Sequence, residues 1–272
     1  MTFFHLYLIA GLVILGCMVF LWMISLLLKN SSIVDIFWGM GFVIANWVYF
    51  SLSQQGFPDR KWLISVLVTV WGLRLSLYIL SRNWGKGEDF RYQKLRQDAG
   101  GAWWWKSFFK VFLFQGILMW LISTPLLFPH FFPVPARLTF VDFLGIVLWV
   151  IGFFFEAVGD WQLSRFKARP SNKGKLLTTG VWRYTRHPNY FGDAAQWWGY
   201  YLIAAATGQG AYSIFSPVLM TFFLLRVTGV ALLEKSLKDV KPGYEAYVSD
   251  TSAFIPWFPR KRPKDSGVER SP

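Results

Sequence analysis

Seven apolar blocks, separated by short stretches that hold nearly all the charge, govern what this chain can fold into. A helix crosses the hydrocarbon layer with about 20 consecutive apolar residues. The blocks Phe3–Leu28, Ile33–Leu52, Trp62–Leu80, Phe108–Leu127, Val141–Trp161, Tyr190–Ala206 and Ile214–Leu233 are of that order. Inside lipid every backbone amide must be paired locally, so such blocks are expected as helices. The strand-length alternation of a membrane barrel is absent. Composition agrees: the 272 residues are 54% hydrophobic and only 16% charged, against roughly a quarter charged in soluble domains. The expected fold class is all-α, a polytopic membrane protein of about seven transmembrane helices. The block Tyr190–Ala206 is the least regular, because Asp193 and Gln196 interrupt it.

The formal net charge of +13 does not point to nucleic acid. The basic residues sit beside block ends, where cytoplasmic Lys and Arg set topology. Arg82, Lys86, Arg91, Lys94 and Arg96 follow the third block, and Arg165, Lys167, Arg169, Lys173, Lys175, Arg183 and Arg186 follow the fifth. With Lys235, Lys238, Lys241 and Arg260–Arg262 they all fall on one side, and only Arg60, Lys61 and Arg137 on the other. The N-terminus is thus expected outside and the C-terminus in the cytoplasm. The first block is too long for a cleaved leader and no basic residue precedes it, so it reads as a retained helix. Residues 1–258 are expected to form one membrane domain, and 259–272 a basic, disordered tail. The single cysteine, Cys17, excludes an intrachain disulfide and a thiolate metal site, and no metal is expected.

Ionisable residues at membrane depth are costly and mark candidate sites. Asp35 opens the second block and shares a helix face with Gly39, Phe42 and Asn46; it is either a first-turn acid favoured by the helix dipole or a catalytic group. Arg74, Tyr78 and Arg82 recur every four residues on the third block. Arg82 can snorkel to the interface, whereas Arg74 lies nearly two turns deeper and is expected to face a polar interior. Glu156 and Asp160 are one turn apart near the end of the fifth block. They either pair with the following cations or, at Asp160, accept hydrogen bonds from a ligand.

The densest motif is TGVWRYTRHPNYFGDAAQWWGYY, Thr179–Tyr201. Pro188 suits a first helical turn, where its missing amide costs nothing. Asn189, Asp193 and Trp197 then stack on one face, below a loop bearing Arg183, Tyr184, Arg186 and His187. Cations at the water boundary above an amide and an acid suit a phosphate-bearing cofactor whose polar ring enters the bundle. His187 by itself is equally a local hydrogen-bonding residue. Arg226, Glu234, Tyr244 and Tyr247 follow, and the last three are placed to close the site from the cytoplasmic side.

RYTRHPNYFGD, with the downstream PGYEAY and IPWF, resembles the C-terminal domain shared by steroid 5-alpha-reductases and sterol reductases. A bacterial branch of that superfamily is similar from the second block onward, over SIVDIFWG, RNWGKGEDFRY and FKARPSNKGKLLTTGVWRYTRHPNYFGD, roughly residues 30–258. The resemblance implies a seven-helix membrane fold, with NADPH entering from the cytoplasm and hydride delivered to an activated C=C bond of a lipid-like substrate.

Carried over position by position, the resemblance puts Asn189, Asp193 and Trp197 where the reductases hold the cofactor, and Asp160 where an acid contacts its polar part. Arg74 and Tyr78 match an Arg-xxx-Tyr on helix three, and Arg226 an arginine on the last helix. Lys86, Lys167, Arg169, Arg183 and Arg186 would face the phosphates, with Tyr184, His187, Glu234 and Tyr244 completing the cofactor set. Two positions depart from the pattern. Asp35 stands for a glutamate, and Trp71 for a tyrosine, that together hold a substrate carbonyl in steroid reductases. Indole donates one hydrogen bond but is no useful acid, so the substrate need not be a steroid.

On this reading the nicotinamide lies between helices two, three and six, and charge building on an enone oxygen needs a donor already in place. Asp35 supplies it only if protonated, as burial favours, and Tyr78 is the reserve donor. No GxGxxG occurs, so the cofactor site is not of Rossmann type. Membrane lipids and a lipid-like substrate are the expected partners, in a bacterial cytoplasmic membrane. Two other readings stay open. One is a membrane S-adenosylmethionine-dependent methyltransferase of the isoprenylcysteine carboxyl methyltransferase type, which shares R-H-P-x-Y-x-G but usually lacks Asn189 and Asp193. The other is a non-catalytic lipid-binding or transport protein, against which the polar residues gather near one end.

Overall fold

The computed structural model describes residues 1–227, 229–230, 234 and 243–260. Among them every regular element is helical. The first three are α1 (Phe3–Leu28), α2 (Ile33–Leu52) and α3 (Pro58–Asn83). Thr2 caps α1 by accepting from the His5 amide at 3.2 Å, and Pro58 opens α3, where its lack of an N–H is harmless. The fourth apolar block is longer and less regular than its hydropathy implied. It runs as α4 (Phe90–Ala99), a 3-10 turn, α5 (Trp103–Ser107), a π-turn (Phe108–Leu113) and α6 (Phe114–Ile122), followed by α7 (Thr124–Phe131). Pro125 lies in the first turn of α7, which explains the break from α6.

The remaining elements are α8 (Phe140–Lys167), α9 (Pro188–Ala205), α10 (Phe215–Phe222), a π-turn (Phe223–Val227) and α11 (Tyr244–Asp250). Six helical runs are long and apolar enough to cross a membrane, and the chain is an integral, multi-pass membrane protein. The least regular block is helical as α9, but it is not among those six. Asn189, Asp193 and Gln196 lie on it. The end of the last block at Leu233, the cations Lys235, Lys238 and Lys241, and the tail from 261 onward lie outside the described residues.

The chain divides into two compact units. The first comprises Met1–Val147 and Trp197–Leu219. Here α2 and α3 touch backbone to backbone: a Cβ added at Gly39 would strike the Gly72 carbonyl, and one at Gly72 the Gly39 carbonyl. This approach lets Ser76 Oγ accept from the Met40 amide at 2.9 Å. One turn on, Phe42, Trp71, Trp197 and Tyr200 make a fully buried aromatic core, with Trp71 edge-on to Trp197 at 5.6 Å. Arg60, read from sequence as a topology marker, is fully buried and grips both oxygens of Asp142 at 2.7 and 2.9 Å. It also donates to the carbonyls of Pro135 and Arg137. A buried pair is tolerated when its remaining donors are used in this way.

The second unit comprises Leu148–Gln196 and Met220–Pro272. Gly152 on α8 faces Gly192 on α9, and Gly159 faces Pro188, so the two helices approach closely and small residues leave room for polar pairs between them. A 3-10 turn at Gly180–Arg183 leads into α9.

Candidate functional site

In the second unit the polar face of α9 meets the polar face of α8. Asn189 Nδ2 donates to Asp160 Oδ1 at 3.2 Å. Two turns deeper, Gln196 Nε2 donates to Glu156 Oε2 at 2.6 Å and to the Gly192 carbonyl at 3.2 Å. Asp193 is buried between these rungs in sequence. Glu156 and Asp160 thus have amide partners on α9. Gln196 was not singled out as a site residue; its i+3 spacing from Asp193 on a polar face was the available signal. Gln196 Oε1 is buried with no hydrogen-bond partner among the described residues.

The loop before α9 does something different from the rest of the motif. Arg186 is buried; its Nε and Nη2 donate to Glu234 Oε1 at 2.9 and 2.7 Å. Its Nη1 donates to the carbonyls of Val248 and Thr251. The Arg186 amide donates to the Ser252 carbonyl, and Thr185 Oγ1 to the Phe254 carbonyl. His187 Nε2 lies 3.3 Å from Glu234. Burial holds the His187 imidazole below its ordinary pKa, and Glu234 only partly offsets this. Tyr244 is buried, and burial raises its phenol above the ordinary range. Tyr247 OH donates to the Trp182 carbonyl. Arg186, Glu234 and Tyr247 therefore clasp the C-terminal segment. Arg186, expected at a phosphate, is committed to protein acceptors.

The other expected phosphate ligands, Lys167, Arg169 and Arg183, are exposed, as are Tyr184 and Arg226. The Tyr184 carbonyl accepts from the Trp257 amide at 2.9 Å.

In the first unit Asp35 stands in the opening turn of α2 and accepts from two side chains of α4. Tyr92 OH lies 2.6 Å from Oδ1, and Arg91 Nη2 lies 2.8 Å from Oδ2. Gln115 Nε2 donates to the Tyr92 oxygen at 3.1 Å. A guanidinium only donates, so Arg91 uses an acceptor of the Asp35 carboxyl and ties α4 to the opening turn of α2. Beside it Glu88 accepts from the Ser31 amide at 2.6 Å and from Arg96 at 2.8 Å. Burial opposes ionisation of Glu88, but these donors hold its carboxyl below the usual range. Sequence alone places Arg91 among the cations after the third block and does not single out Tyr92. Their signal was the run EDFRY, in which Asp89 caps α4 by accepting from the Arg91 amide.

Arg74 and Tyr78 lie together on α3, the guanidinium carbon 5.9 Å from the ring centre, and Arg82 flanks the same ring at 5.7 Å. Lys86 is exposed and donates to the Arg82 carbonyl. Trp197 belongs to the buried aromatic core with Trp71, so the position where a tyrosine was expected is a packing residue here.

Comparison with known proteins bears on these residues. The chain is 25% identical over 266 residues to an uncharacterised protein of Schizosaccharomyces pombe, covering 87% of this chain and 75% of that one. It is 24% identical over 258 residues to a Delta(14)-sterol reductase of Gibberella zeae, covering 79% of this chain. It is 31% identical over 119 residues to a Delta(14)-sterol reductase of S. pombe, covering 39% of this chain. The matched regions span 49% and 26% of those two reductases. No solved structure matches. The family model described as "Protein of unknown function (DUF1295)" matches residues 21–251, and the chain belongs to that family, which is steroid 5-alpha-reductase-like.

Proposed function

We propose that this protein is a membrane reductase that uses NADPH to reduce an activated C=C bond, as in an enone, of a sterol-like or other lipid substrate. The observation that carries the reading is the Asn189–Asp160 pair at the head of α9, inside the motif RYTRHPNYFGD. Similarity to two Delta(14)-sterol reductases supports the same chemistry.

The residues present fit a nicotinamide nucleotide in kind. An amide and a carboxylate at Asn189 and Asp160 offer both donors and acceptors to a ribose or carboxamide. The bare Gln196 Oε1 is an acceptor for an N–H. Lys167, Arg169 and Arg183 are exposed cations for phosphates, and their number favours the extra phosphate of NADPH. Arg186 does not fit a phosphate role, because its donors are used within the fold. When bound, the cofactor supplies the hydride; the protein supplies orientation and electrostatics. Tyr78, flanked by Arg74 and Arg82, is the proposed donor to a developing oxyanion, and Asp35 the acid that fixes Arg91 and Tyr92. We place the protein in a bacterial cytoplasmic membrane with its C-terminus inside.

The test is a thermal-shift titration of the purified protein with NADPH, NADH and S-adenosylmethionine. A ligand at 100 times its Kd adds about 2.7 kcal/mol of stability. Stabilisation by NADPH, lost in Asn189→Ala and Asp193→Ala, supports the reductase. Stabilisation by S-adenosylmethionine alone replaces it with the methyltransferase.

A further inference from the structure

In the first unit, outside every residue assigned above, α1 runs antiparallel to the stretch from α5 through α6. Trp22 meets Phe108 at 5.3 Å near one end of this contact, and Tyr7 stacks on Trp120 at 4.5 Å near the other. An apolar groove opens between them, walled by Leu8, Leu12 and Leu15 on one side and by Leu113, Ile117 and Trp120 on the other. Gly11 and Gly116 also line it, and a Cβ at Gly11 would meet the Trp120 ring at 2.8 Å. The Trp120 indole donates to the Tyr7 carbonyl at 2.8 Å, so this ring is fixed where it bounds the groove. Leu8, Leu12, Leu15 and Ile117 are exposed. Both helical runs are long and apolar enough to cross a membrane, so the groove opens toward lipid.

The other end of the contact carries charge. The Trp22 indole donates to the Trp104 carbonyl at 3.0 Å and to Ser107 Oγ at 3.3 Å, which fastens α5 to α1. Trp104, Trp105 and Phe109 are exposed there, and Trp is a residue type that collects at headgroup level. Lys110 is exposed, and Lys106 is half-buried with its ammonium 5.7 Å from the Trp105 ring centre. Among the described residues neither lysine has an ion-pair partner. From Lys110 to Trp120 is ten residues, about 15 Å along a helix, which is half of a hydrocarbon layer about 30 Å thick. Two free cations above an apolar groove one leaflet deep match a phosphate joined to an acyl chain. A soluble anion leaves the groove unused, and a neutral sterol leaves the cations unused.

We propose that an anionic phospholipid docks here, with its headgroup on Lys106 and Lys110 and one acyl chain in the groove between α1 and α6. The site does not depend on the reductase reading.

The test is photocrosslinking of the full chain in phosphatidylcholine nanodiscs. A trace of phosphatidylglycerol or of phosphatidylcholine carries a diazirine on its acyl chain, and labelled residues are mapped by peptide mass spectrometry. The expected result is that the phosphatidylglycerol probe labels 8–15 and 113–120 above other lipid-facing segments, and the phosphatidylcholine probe does not. Each lysine beside an anionic headgroup is worth about 1 kcal/mol, a factor of about five in affinity. Lys106→Gln with Lys110→Gln is therefore expected to cut that labelling about tenfold or more, and arginine at both positions to keep it. Equal labelling by the two probes overturns the proposal, as does a phosphatidylglycerol preference that survives the double glutamine variant. Should that variant fail to fold, the two probes on the unsubstituted protein decide.

Discussion

Tyr92 on α4 places its hydroxyl 2.6 Å from Asp35 on α2. The two residues are 57 positions apart, and the same carboxylate also holds Arg91. Asp35 therefore ties the segment after α3 to the opening turn of α2.

Replacing Tyr92 by Phe leaves a half-buried Asp35 oxygen and the Gln115 amide without their partner. A buried group stripped of its partner costs about 1–3 kcal/mol. Thermal denaturation is expected to show a loss of that order, and Arg91→Ala a comparable one. Unchanged melting in both would mean that the pairs carry no stability.

Asn189 and Asp160 are expected to act as a unit. Under the reductase reading, Asn189→Ala weakens NADPH binding about tenfold or more, equivalent to about 1.4 kcal/mol. Asp160→Asn adds less in the double variant than alone, because the shared bond is already lost. Additive effects measured by titration calorimetry would show that the two do not cooperate.

Arg186 separates clasp from cofactor ligand. Breaking a buried ion pair from one side costs about 3–5 kcal/mol. Arg186→Ala is expected to expose 243–258 to protease and lower the melting temperature. A loss of cofactor affinity with the C-terminal segment still protected would instead return Arg186 to the cofactor.

His187 gives a pH signature. Its folded pKa is depressed below the ordinary 6.5, chiefly by burial. Above pH 6.5 neither folded nor unfolded state binds the proton, so the contribution to stability is fully present. As pH falls below 6.5 the unfolded chain protonates first and stability is lost down to the folded pKa. Melting temperature between pH 7.5 and 5.5 is expected to fall, and to fall less in His187→Gln.

The sequence by itself determined the helical, membrane-spanning class, because only helices pair their own backbone in lipid and the apolar blocks have spanning length. α2 matches its expected bounds, Ile33–Leu52. It also placed Asn189 and Asp193 on one face, since helical spacing is a local property. Pairing across elements was not legible. Arg186 and Arg183 look alike in the motif, yet one is buried against Glu234 and the other is exposed. Asp35 gave no sign of Tyr92, nor Arg60 of Asp142, because each partner is set by how distant helices pack. Charge and spacing are written along the chain; which donor meets which acceptor was decided only by tertiary structure.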